Sequence, residues 1–388
     1  MEYIRRVQLS EIAELITKGT TPTTLGYEFQ DEGVNFLKIE CFTENGNYLP
    51  EKAAHISEEC NEKLKRSQLK AGDVLFSIAG AIGRVGIVTE EMLPANTNQA
   101  LAIIRIDSDE VYLPYIKHIL TSPIVKKQFE KKKQGVAQLN LSLKDINEIT
   151  IPLPAKDKQI EYAELFTKIG KILAHRNEEL ESLDELIKAR FVELFDNANY
   201  PKIRLGDACK KITDGTHKTP NYLDDGITFI SAKNIIDGEL DFSDVKYISE
   251  DEYQEIQKRC QTEKNDILLS KSGSLGAPVI VRTEEKLGLF ESLAVLKYER
   301  DRFLSEFLCE QLKTDMVQRQ FTSGTKGVAI KHLHLGVIAD TEIIEPPMEE
   351  QKIFADFVKQ VDKSKVAVQK SLDETQKLFD SLMQEYFG

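Results

Sequence analysis

The chain has no apolar run long enough to cross a bilayer, since a transmembrane helix needs about 20 consecutive apolar residues. Residues 1–6 lead directly into repeated sequence, which we interpret as leaving no room for a signal peptide. Cysteine is scarce: Cys41, Cys60, Cys209, Cys260 and Cys309 are odd in number and form no Cys-x-x-Cys pair. That spacing argues against a disulfide framework and against a zinc knuckle. We expect a cytoplasmic protein with reduced cysteines and no membrane partner.

Motifs of catalysis and cofactor binding are also missing. Gly170-Lys171-Ile172 lacks the Ser or Thr that ends a phosphate-binding loop, and the glycines of Gly80–Gly86 have the wrong spacing for a dinucleotide fingerprint. Adenine methyltransferases hold a flipped base with an Asp/Asn-Pro-Pro-Tyr/Phe loop, whereas Asn199-Tyr200-Pro201 reverses that order. His332-Leu333-His334 alternates as a surface strand would, without a third metal ligand at suitable spacing. We predict no catalytic residue, no metal site and no cofactor in this chain.

The charge balance is unfavourable for a nucleic-acid partner when the chain is taken as a whole. The net charge is −13, and a duplex favours partners that replace its counterions with Lys and Arg. The charges are segregated, however. Basic residues gather at Lys126, Lys127 and 131–133, whereas acidic residues gather at Glu178–Glu185 and Glu250–Glu255. One basic face is therefore compatible with the sequence, as is a lysine run at a solvated helix end.

A long internal repeat is the main positive feature. Val7–Ile12 and Ile16–Thr20 return as Ile203–Ala208 and Ile212–Thr216, an offset of 196 residues. Further pairs follow at offsets of 192 or 193 residues: Asp73–Ser77 with Asp266–Ser270, Gly135–Ala137 with Gly327–Ala329, and Lys158-Gln159 with Glu350-Gln351. A repeat of this length is two whole domains rather than short solenoid units. Two such domains predict a pseudo-twofold axis, which suits the reading of two separated sites on a duplex.

Each repeat contains a globular part with short apolar runs of strand length and composition. These are Val34–Ile39, Val74–Phe76 and Leu101–Ile106 in the first copy, and Ile227–Ile230, Ile267–Leu269 and Leu293–Leu296 in the second. A helical pattern over Leu113–Lys132 is mixed in. The sequence therefore predicts two similar α+β domains, each a mixed sheet plus helices, rather than a regular βαβ alternation.

Prolines end each globular part, at Ile151–Pro154 and Ile344–Pro347, and we expect neither a strand nor a helix to continue through them. Apolar residues then follow at heptad spacing: Phe166, Ile169, Leu173, Leu180, Leu183, Ile187 and Leu194, and later Val358, Val361, Val368, Leu372, Phe379 and Leu382. This spacing is typical of a coiled coil. A lone amphipathic helix packed on its own domain is the alternative.

These boundaries predict a first domain at residues 1–155, a spacer helix at 156–199, a second domain at 200–347 and a second spacer helix at 348–388. Helix one leaves the first domain for the second, where helix two begins, so two helices that pack together must be antiparallel. About 40 residues at about 1.5 Å each give a rod of about 60 Å. That length corresponds to roughly 17 base pairs at about 3.4 Å each. The helix pair would thus measure a distance along DNA.

Three motifs occur in order along the chain. The first is Gly-Thr, Thr-Pro and Tyr within Ile16–Tyr27 and again within Ile212–Tyr222, the second is Gly72–Ser77 with Gly80–Gly83, and the third is Ile151–Pro154 before a Gln and a long helix. In this the chain resembles the specificity subunit of type I restriction-modification systems, over essentially its whole length. The resemblance implies two target recognition domains, similar in fold to the DNA-reading domain of some adenine methyltransferases, separated by an antiparallel coiled coil.

The resemblance further implies that each domain reads one half of a split site on double-stranded DNA. The helices would set the spacer and dock two modification (methyltransferase) subunits, and a motor-nuclease restriction subunit can join. S-adenosylmethionine, ATP and magnesium would then belong to the partner subunits. The second copy departs from the first at Ser272–Gly276, which replaces Ala79–Gly83, and at Glu291-Ser292, which replaces Asn98-Gln99. Such differences are expected of domains that read different half-sites.

Base readout uses Arg, Lys, Asn and Gln side chains and Ser or Thr hydroxyls, so polar residues in predicted turns are the candidates for DNA contact. They are Lys18, Thr20, Thr21, Arg84, Gln138 and Asn140 in the first domain, and Thr216, His217, Lys218, Lys271, Ser272, Lys326, Lys331 and His332 in the second. Each has an alternative role as an ordinary turn or cap residue. Asn140 and His332 occupy equivalent positions after the shared Gly-Val-Ala, which suits a variable readout position and equally a surface position that drifts freely.

Two other classes of function remain open. One is a stand-alone DNA-binding regulator, and the other is a non-enzymatic coiled-coil interaction scaffold whose α+β domains bind peptide or glycan. The negative net charge favours the scaffold over the regulator. Two domains with polar loops, at a separation suited to DNA, favour the specificity subunit.

Overall fold

The structure, a computed structural model, describes residues 4–130, 140–196, 199–236, 238–323 and 332–387. The chain forms two compact units. Unit 1 comprises residues 1–177 and 370–388, and unit 2 comprises residues 178–369. Each unit holds one globular domain and about half of each long helix. Among the described residues, no helix combines the length and the hydrophobicity that crossing a membrane requires.

The first domain is built on a four-stranded antiparallel sheet. The strands of the whole domain are β1 Arg5–Gln8, β2 Leu15–Lys18, β3 Val34–Leu37, β4 Ala54–Ile56, β5 Val74–Ser77, β6 Val85–Ile87, β7 Ala95–Thr97, β8 Leu101–Arg105 and β9 Thr150–Leu153. Its helices are α1 Leu9–Ile12, α2 Glu58–Lys63, α3 Leu113–Thr121, α4 Pro123–Glu130, α5 Leu143–Asn147 and the long α6 Lys156–Phe195. The main sheet has the order β2-β8-β5-β6. A second sheet, β4-β3-β7, is mixed because β3 and β7 are parallel, and β1 pairs with β9.

The second domain repeats this topology. Its strands are β10 Lys202–Arg204, β11 Cys209–Asp214, β12 Ile227–Ile230, β13 Ile235–Ile236, β14 Glu239–Leu240, β15 Lys246–Ile248, β16 Ile267–Ser270, β17 Pro278–Ile280, β18 Leu287–Leu289, β19 Leu293–Tyr298 and β20 Glu342–Ile344. Its helices are α7 Glu250–Arg259, α8 Ser305–Lys313, α9 Asp315–Ser323, α10 Leu335–Asp340 and the long α11 Met348–Phe387. The sheet orders are β11-β19-β16-β17 and β15-β12-β18, with β10 on β20 and a small β13-β14 hairpin. The predicted pair of similar α+β domains is confirmed.

The helical pattern predicted over Leu113–Lys132 is, as far as residue 130, two separate helices, α3 and α4. Ser122 between them is extended, with ψ at 157°, since a proline disfavours the helical conformation in the residue before it. The Ser122 hydroxyl donates to the Ile119 carbonyl at 2.6 Å. Thr314 makes the same break between α8 and α9 without a proline, and its hydroxyl donates to the Gln311 carbonyl at 2.7 Å.

Two local expectations are also corrected. Pro152 lies inside β9, opposite Arg6, although we expected no strand to continue through it. A two-stranded ribbon tolerates proline because one side of each strand needs no backbone donor. His332–His334 forms a loop rather than a strand, and His334 is the residue before the first turn of α10.

The long helices complete the core of each unit. In unit 1 the first part of α6 packs against the last part of α11, with the rings of Phe166 and Phe379 5.5 Å apart. In unit 2 the last part of α6 packs against the first part of α11, with the rings of Phe191 and Phe354 5.4 Å apart. Opposite ends meet in both units, so the helices are antiparallel as predicted. Each has 40 residues, or about 60 Å at about 1.5 Å per residue.

Every residue predicted for the helix seam is buried or half-buried. Phe166, Ile169, Ile187, Val358, Val361 and Val368 are buried, and Leu173, Leu180, Leu183, Leu194, Leu372, Phe379 and Leu382 are half-buried. The heptad pattern missed buried aromatic residues beside the seam, namely Phe191, Phe195, Phe354 and Phe387. These side chains face the sheet domains as well as the partner helix, and their clusters join α3 in unit 1 and α8 in unit 2.

A buried glutamine fixes the start of each long helix. Gln159 accepts a hydrogen bond from the Tyr112 backbone N–H at 2.9 Å and donates to the Glu110 and Pro154 carbonyls, both at 2.8 Å. Gln351 makes the three equivalent bonds, to Leu304, Arg302 and Pro346. Both side chains are fully buried. The repeated glutamine therefore ties each helix to its own domain.

Candidate nucleic-acid interface

Equivalent backbone hydrogen bonds bring the candidate loops together in each domain. In the first domain Ile78 N–H donates to the Ala100 carbonyl, and Leu141 N–H donates to the Ile78 carbonyl, both at 2.9 Å. In the second domain the same two bonds run from Lys271 to Ser292 and from Leu333 to Lys271, both at 2.8 Å. Three segments far apart in sequence thus meet after β5 and after β16.

The Gly-Thr turn adds a fourth segment to this framework. A Cβ atom on Gly19 would lie 2.0 Å from the Thr97 carbonyl oxygen, and one on Gly215 would lie 2.1 Å from the Leu289 carbonyl oxygen. Only glycine permits such an approach of two backbones. The following threonine N–H donates to the same carbonyl in each domain, at 3.2 and 2.8 Å. The repeated glycine is therefore required by packing.

In the first domain most described candidates lie on this framework. Lys18 and Asn140 are exposed, and Thr20 and Thr21 are half-buried. The Thr21 hydroxyl donates to the side-chain oxygen of Gln99, a residue the sequence did not single out as a contact. Arg84 lies at the other end of the glycine loop, where it donates to the Phe42 carbonyl at 3.3 Å. Gln138 lies outside the described residues.

In the second domain the candidates surround a charged cluster. His217 and Lys218 are exposed, and Thr216, Ser272 and His332 are half-buried. His217 Nδ1 lies 2.5 Å from Glu291, and its Nε2 lies 3.0 Å from Arg259. Burial, followed by the nearby ammonium of Lys271, lowers the pKa of His332. Lys326 and Lys331 lie outside the described residues.

Lys271 does not fit the DNA contact predicted for it. Its side chain is only 4% exposed, and its ammonium binds Asp214 at 2.5 Å. Arg259 contacts the other oxygen of Asp214. Burial alone would raise the pKa of Asp214, but the hydrogen bonds from Lys271 and Arg259 outweigh it and the pKa is lowered. We therefore assign Lys271 a structural role in holding the loops, because Asp214 already neutralises its charge.

Arg66 and Arg259 are surface arginines that the sequence reading missed. Lys65-Arg66-Ser67-Gln68 recurs as Lys258-Arg259-Cys260-Gln261, an offset of 193 residues. The Arg259 side chain is 53% exposed, and Arg66 is exposed. An arginine kept in both copies among diverged loops suits phosphate contact, which does not depend on base sequence. Within the described ranges no group of three or more His, Cys, Asp or Glu side chains could hold a metal.

The chain carries two homologous α+β domains on an antiparallel helix pair. Their loops share one backbone framework and carry different side chains, which defines a protein with two homologous recognition domains. The family model of the type I restriction modification DNA specificity domain matches residues 1–182 and 197–375. The chain belongs to this family and carries two copies of its domain. Members of the family provide DNA specificity rather than catalysis.

Several curated relatives are specificity subunits. The type I restriction enzyme EcoBI specificity subunit of Escherichia coli is 30% identical over 170 residues, which are 42% of this chain and 35% of that protein. The alignment thus spans about a third of that relative. The putative type I restriction enzyme MjaX specificity subunit of Methanocaldococcus jannaschii is 22% identical over 383 residues, 92% of this chain and 86% of the relative.

Two solved structures share the fold over nearly the whole chain. The S subunit of a type I restriction-modification system from M. genitalium has a TM-score of 0.55 at 15% identity, covering 100% of this chain and 97% of that one. A chain from a structure on complex assembly and conformational transition of the type I R-M system has a TM-score of 0.57 at 17% identity, covering 99% and 97%. At these identities the likeness establishes the fold.

Proposed function

We propose that the chain is the specificity subunit of a cytoplasmic type I restriction-modification complex. Each recognition domain reads one half of an asymmetric bipartite DNA site, and the helix pair sets the spacer between the halves. Two methyltransferase subunits dock on the chain, and motor-nuclease subunits can join them. S-adenosylmethionine, ATP and magnesium belong to those partner subunits, so this chain contributes DNA recognition alone.

One observation carries the proposal: the two domains share a backbone framework but differ in most of the polar side chains that it carries. Thr21 pairs with Gln99 in the first domain, and the equivalent His217 pairs with Glu291 in the second. Asn140 is also exchanged for His332, and the exposed Lys18 for the buried Asp214. Among the buried residues of the framework, Ile78 is exchanged for Lys271. Neutral donors and acceptors and charged groups select different base edges in the major groove. One scaffold with two polar surfaces fits two different half-sites.

A domain swap tests this assignment. Residues 203–343 are replaced by the corresponding segment of a family member with a different second domain, and the chain is expressed with its methyltransferase. Methylome sequencing should show a change in one half of the methylated motif, with the other half and the spacer length retained. A swap of the equivalent segment of the first domain is the matched control and should change the other half. A change in both halves, or in neither, would contradict the proposal.

A further inference from the structure

Unit 1 contains a groove of 1380 Å³ between its recognition domain and the long helices. Its walls are the end of the glycine loop, α3, and the facing parts of α6 and α11. Five cationic side chains line it: Arg84, Lys117, Lys126, Lys168 and Lys171. Only Glu44 and Glu164 oppose them among the lining residues. We call these walls the basic groove; its excess of positive charge contrasts with a net charge of −13 for the chain.

Lys117 is the one half-buried lysine among these cations. Its ammonium donates to the Gly46 carbonyl at 3.3 Å. Among the described residues no carboxylate lies within ion-pair distance of it, and burial lowers its pKa. A charge that loses water without gaining an opposite charge costs stability. Such an ammonium is expected where an anion binds.

The remaining lysines are free to meet a ligand. Lys126, Lys168 and Lys171 are exposed, and none forms an ion pair within the described part of the chain. His118 is neutral at physiological pH, because burial, and then the charge of Lys117, lowers its pKa to about 4. The groove therefore presents the positive charges of flexible lysine side chains, whereas the imidazole of His118, which also lines it, carries no charge.

Unit 2 neutralises the equivalent surface with its own acids. At an offset of 192 residues, Lys117 corresponds to the buried Cys309, Thr121 to Lys313, Gly170 to Asp362 and Leu173 to Lys365. Lys313 pairs with Glu310 at 2.6 Å, and Lys365 pairs with Asp184. The shared scaffold does not require an unneutralised groove, so the charge in unit 1 serves something particular to that unit.

We propose that the basic groove binds the phosphate backbone of the DNA duplex beside the half-site read by the first recognition domain. The proposal rests on the proposed function and deepens it. Lysine ammonium groups act as point charges that hold phosphates without reading sequence. The glycine loop joins the two surfaces: Ile78 begins it on the recognition framework, and Arg84 ends it in the groove. Six residues span at most about 20 Å, so a phosphate held by Arg84 falls within about six base pairs of the half-site at about 3.4 Å each.

The test measures the salt dependence of DNA binding by the complete complex with its methyltransferase. Lys168→Gln with Lys171→Gln removes two exposed charges from the groove. The slope of log affinity against log salt concentration should fall by about 0.9 per lost phosphate contact, and so by about 2. The methylated sequence should not change. The matched control is Lys352→Gln with Lys363→Gln, two exposed lysines of α11 in unit 2, one of them the repeat equivalent of Lys171; it should leave the slope unchanged.

Lys117→Met provides a second readout. The slope should fall by about 1, while the thermal midpoint of the free chain stays equal or rises, because Met fills the site without a buried charge. A purely structural lysine would give a lower midpoint with an unchanged slope, which would overturn the proposal.

Two further outcomes would also overturn it. One is an unchanged slope in the double variant. The other is loss of the methyltransferase from the complex with the slope retained, which would assign the groove to a protein surface. If the wild-type complex bound no duplex with sequence preference, the proposed function itself would fail, and this proposal with it. Failure confined to the lysine variants counts against the groove alone.

Discussion

Asp214 replaces an exposed lysine of the first domain with a buried carboxylate in the second. Its partner Lys271 directly follows β16, its partner Arg259 is the last residue of α7, and His217 lies 3.4 Å from it. The carboxylate thus orders a strand end, a helix end and a loop beneath the polar surface of the second domain. Removing either member of a buried pair leaves the other charge without compensation.

Asp214→Asn should therefore destabilise the chain. The Lys271 ammonium stays buried without a counter-charge, at a cost of about 3 to 5 kcal/mol, measurable by urea denaturation. Asp214→Leu combined with Lys271→Met is the matched variant and should recover most of the loss, since neither charge then remains. A loss in the single variant no larger than in the double one would contradict this assignment.

The same carboxylate should make the fold sensitive to acid. Because the folded-state pKa of Asp214 is lowered, its stabilisation is complete above the unfolded value of about 4 and is lost as the pH falls through the folded value. In the same pH window the double variant should lose less thermal stability than the wild type.

The sequence predicted most of the residues at this surface but not how they pair. Thr216 and His217 followed from the repeated Gly-Thr turn, and His332 followed from its position after Gly-Val-Ala. The burial of Lys271 depends on Asp214, which lies 57 residues away along the chain. No local pattern separates a lysine that reaches solvent from one that reaches a carboxylate brought by another strand.

At the scale of the element, the glutamine at the start of each long helix sets the direction in which that helix leaves its domain. The Gln159 amide donates to two carbonyls of the domain and accepts from one N–H, so three backbone hydrogen bonds depend on it. The sequence showed this glutamine only as a repeated residue. Its partners lie in the Glu110–Tyr112 turn and at Pro154, and nothing in the heptad pattern indicates them.

Gln159→Glu should weaken this connection. A carboxylate can still accept from the Tyr112 N–H but cannot donate to the Glu110 and Pro154 carbonyls. Two carbonyls are then left unsatisfied at about 1 to 3 kcal/mol each, so the loss should be about 2 to 6 kcal/mol in urea denaturation. Gln360→Glu, at an exposed position of α11, is the control and should stay within about 0.5 kcal/mol. Equal effects at the two positions would count against the role of Gln159.

Element prediction succeeded where the pattern was local and failed where packing decides. The strands Val34–Leu37, Val74–Ser77 and Leu101–Arg105 lie at the three predicted runs to within two residues at their ends, because β-branched and aromatic runs of that length have few alternatives. No proline follows Thr314 that would predict the break between α8 and α9. The strand through Pro152 is possible because β9 pairs with only one other strand, β1. The seam of the helices followed from heptads, whereas Phe191 and Phe387 face a domain surface that no helical repeat encodes.

At the scale of the whole molecule, the proposed function makes helix length a determinant of the DNA target. Seven residues added to α6 after Asn177 and seven added to α11 after Gln369 keep the heptad register. They lengthen the helices by about 10.5 Å, so the spacer of the methylated motif should grow by about three base pairs at about 3.4 Å each. Methylome sequencing measures this directly.

The control for that experiment is the insertion in α6 alone. It leaves the two helices unequal in length, so part of the seam loses its partners, and the complex should lose methylation instead of shifting its motif. An unchanged spacer in the double insertion would mean that the helices do not determine the distance between the half-sites.

The hydrophobic core of unit 1 includes Met383 and Phe387, which lie on the last turns of α11 and belong to the same cluster as Phe166. Unit 2 is one continuous stretch of chain, whereas unit 1 needs a second segment that begins 193 residues after its first segment ends at Asn177. On the ribosome, the domain that emerges first is therefore the one that matures last. Until the end of α11 is released from the ribosome, the apolar face of unit 1 that it covers remains exposed and available to chaperones. A nascent polypeptide interrupted before residue 370 would keep an intact second half and a first half that never finishes folding.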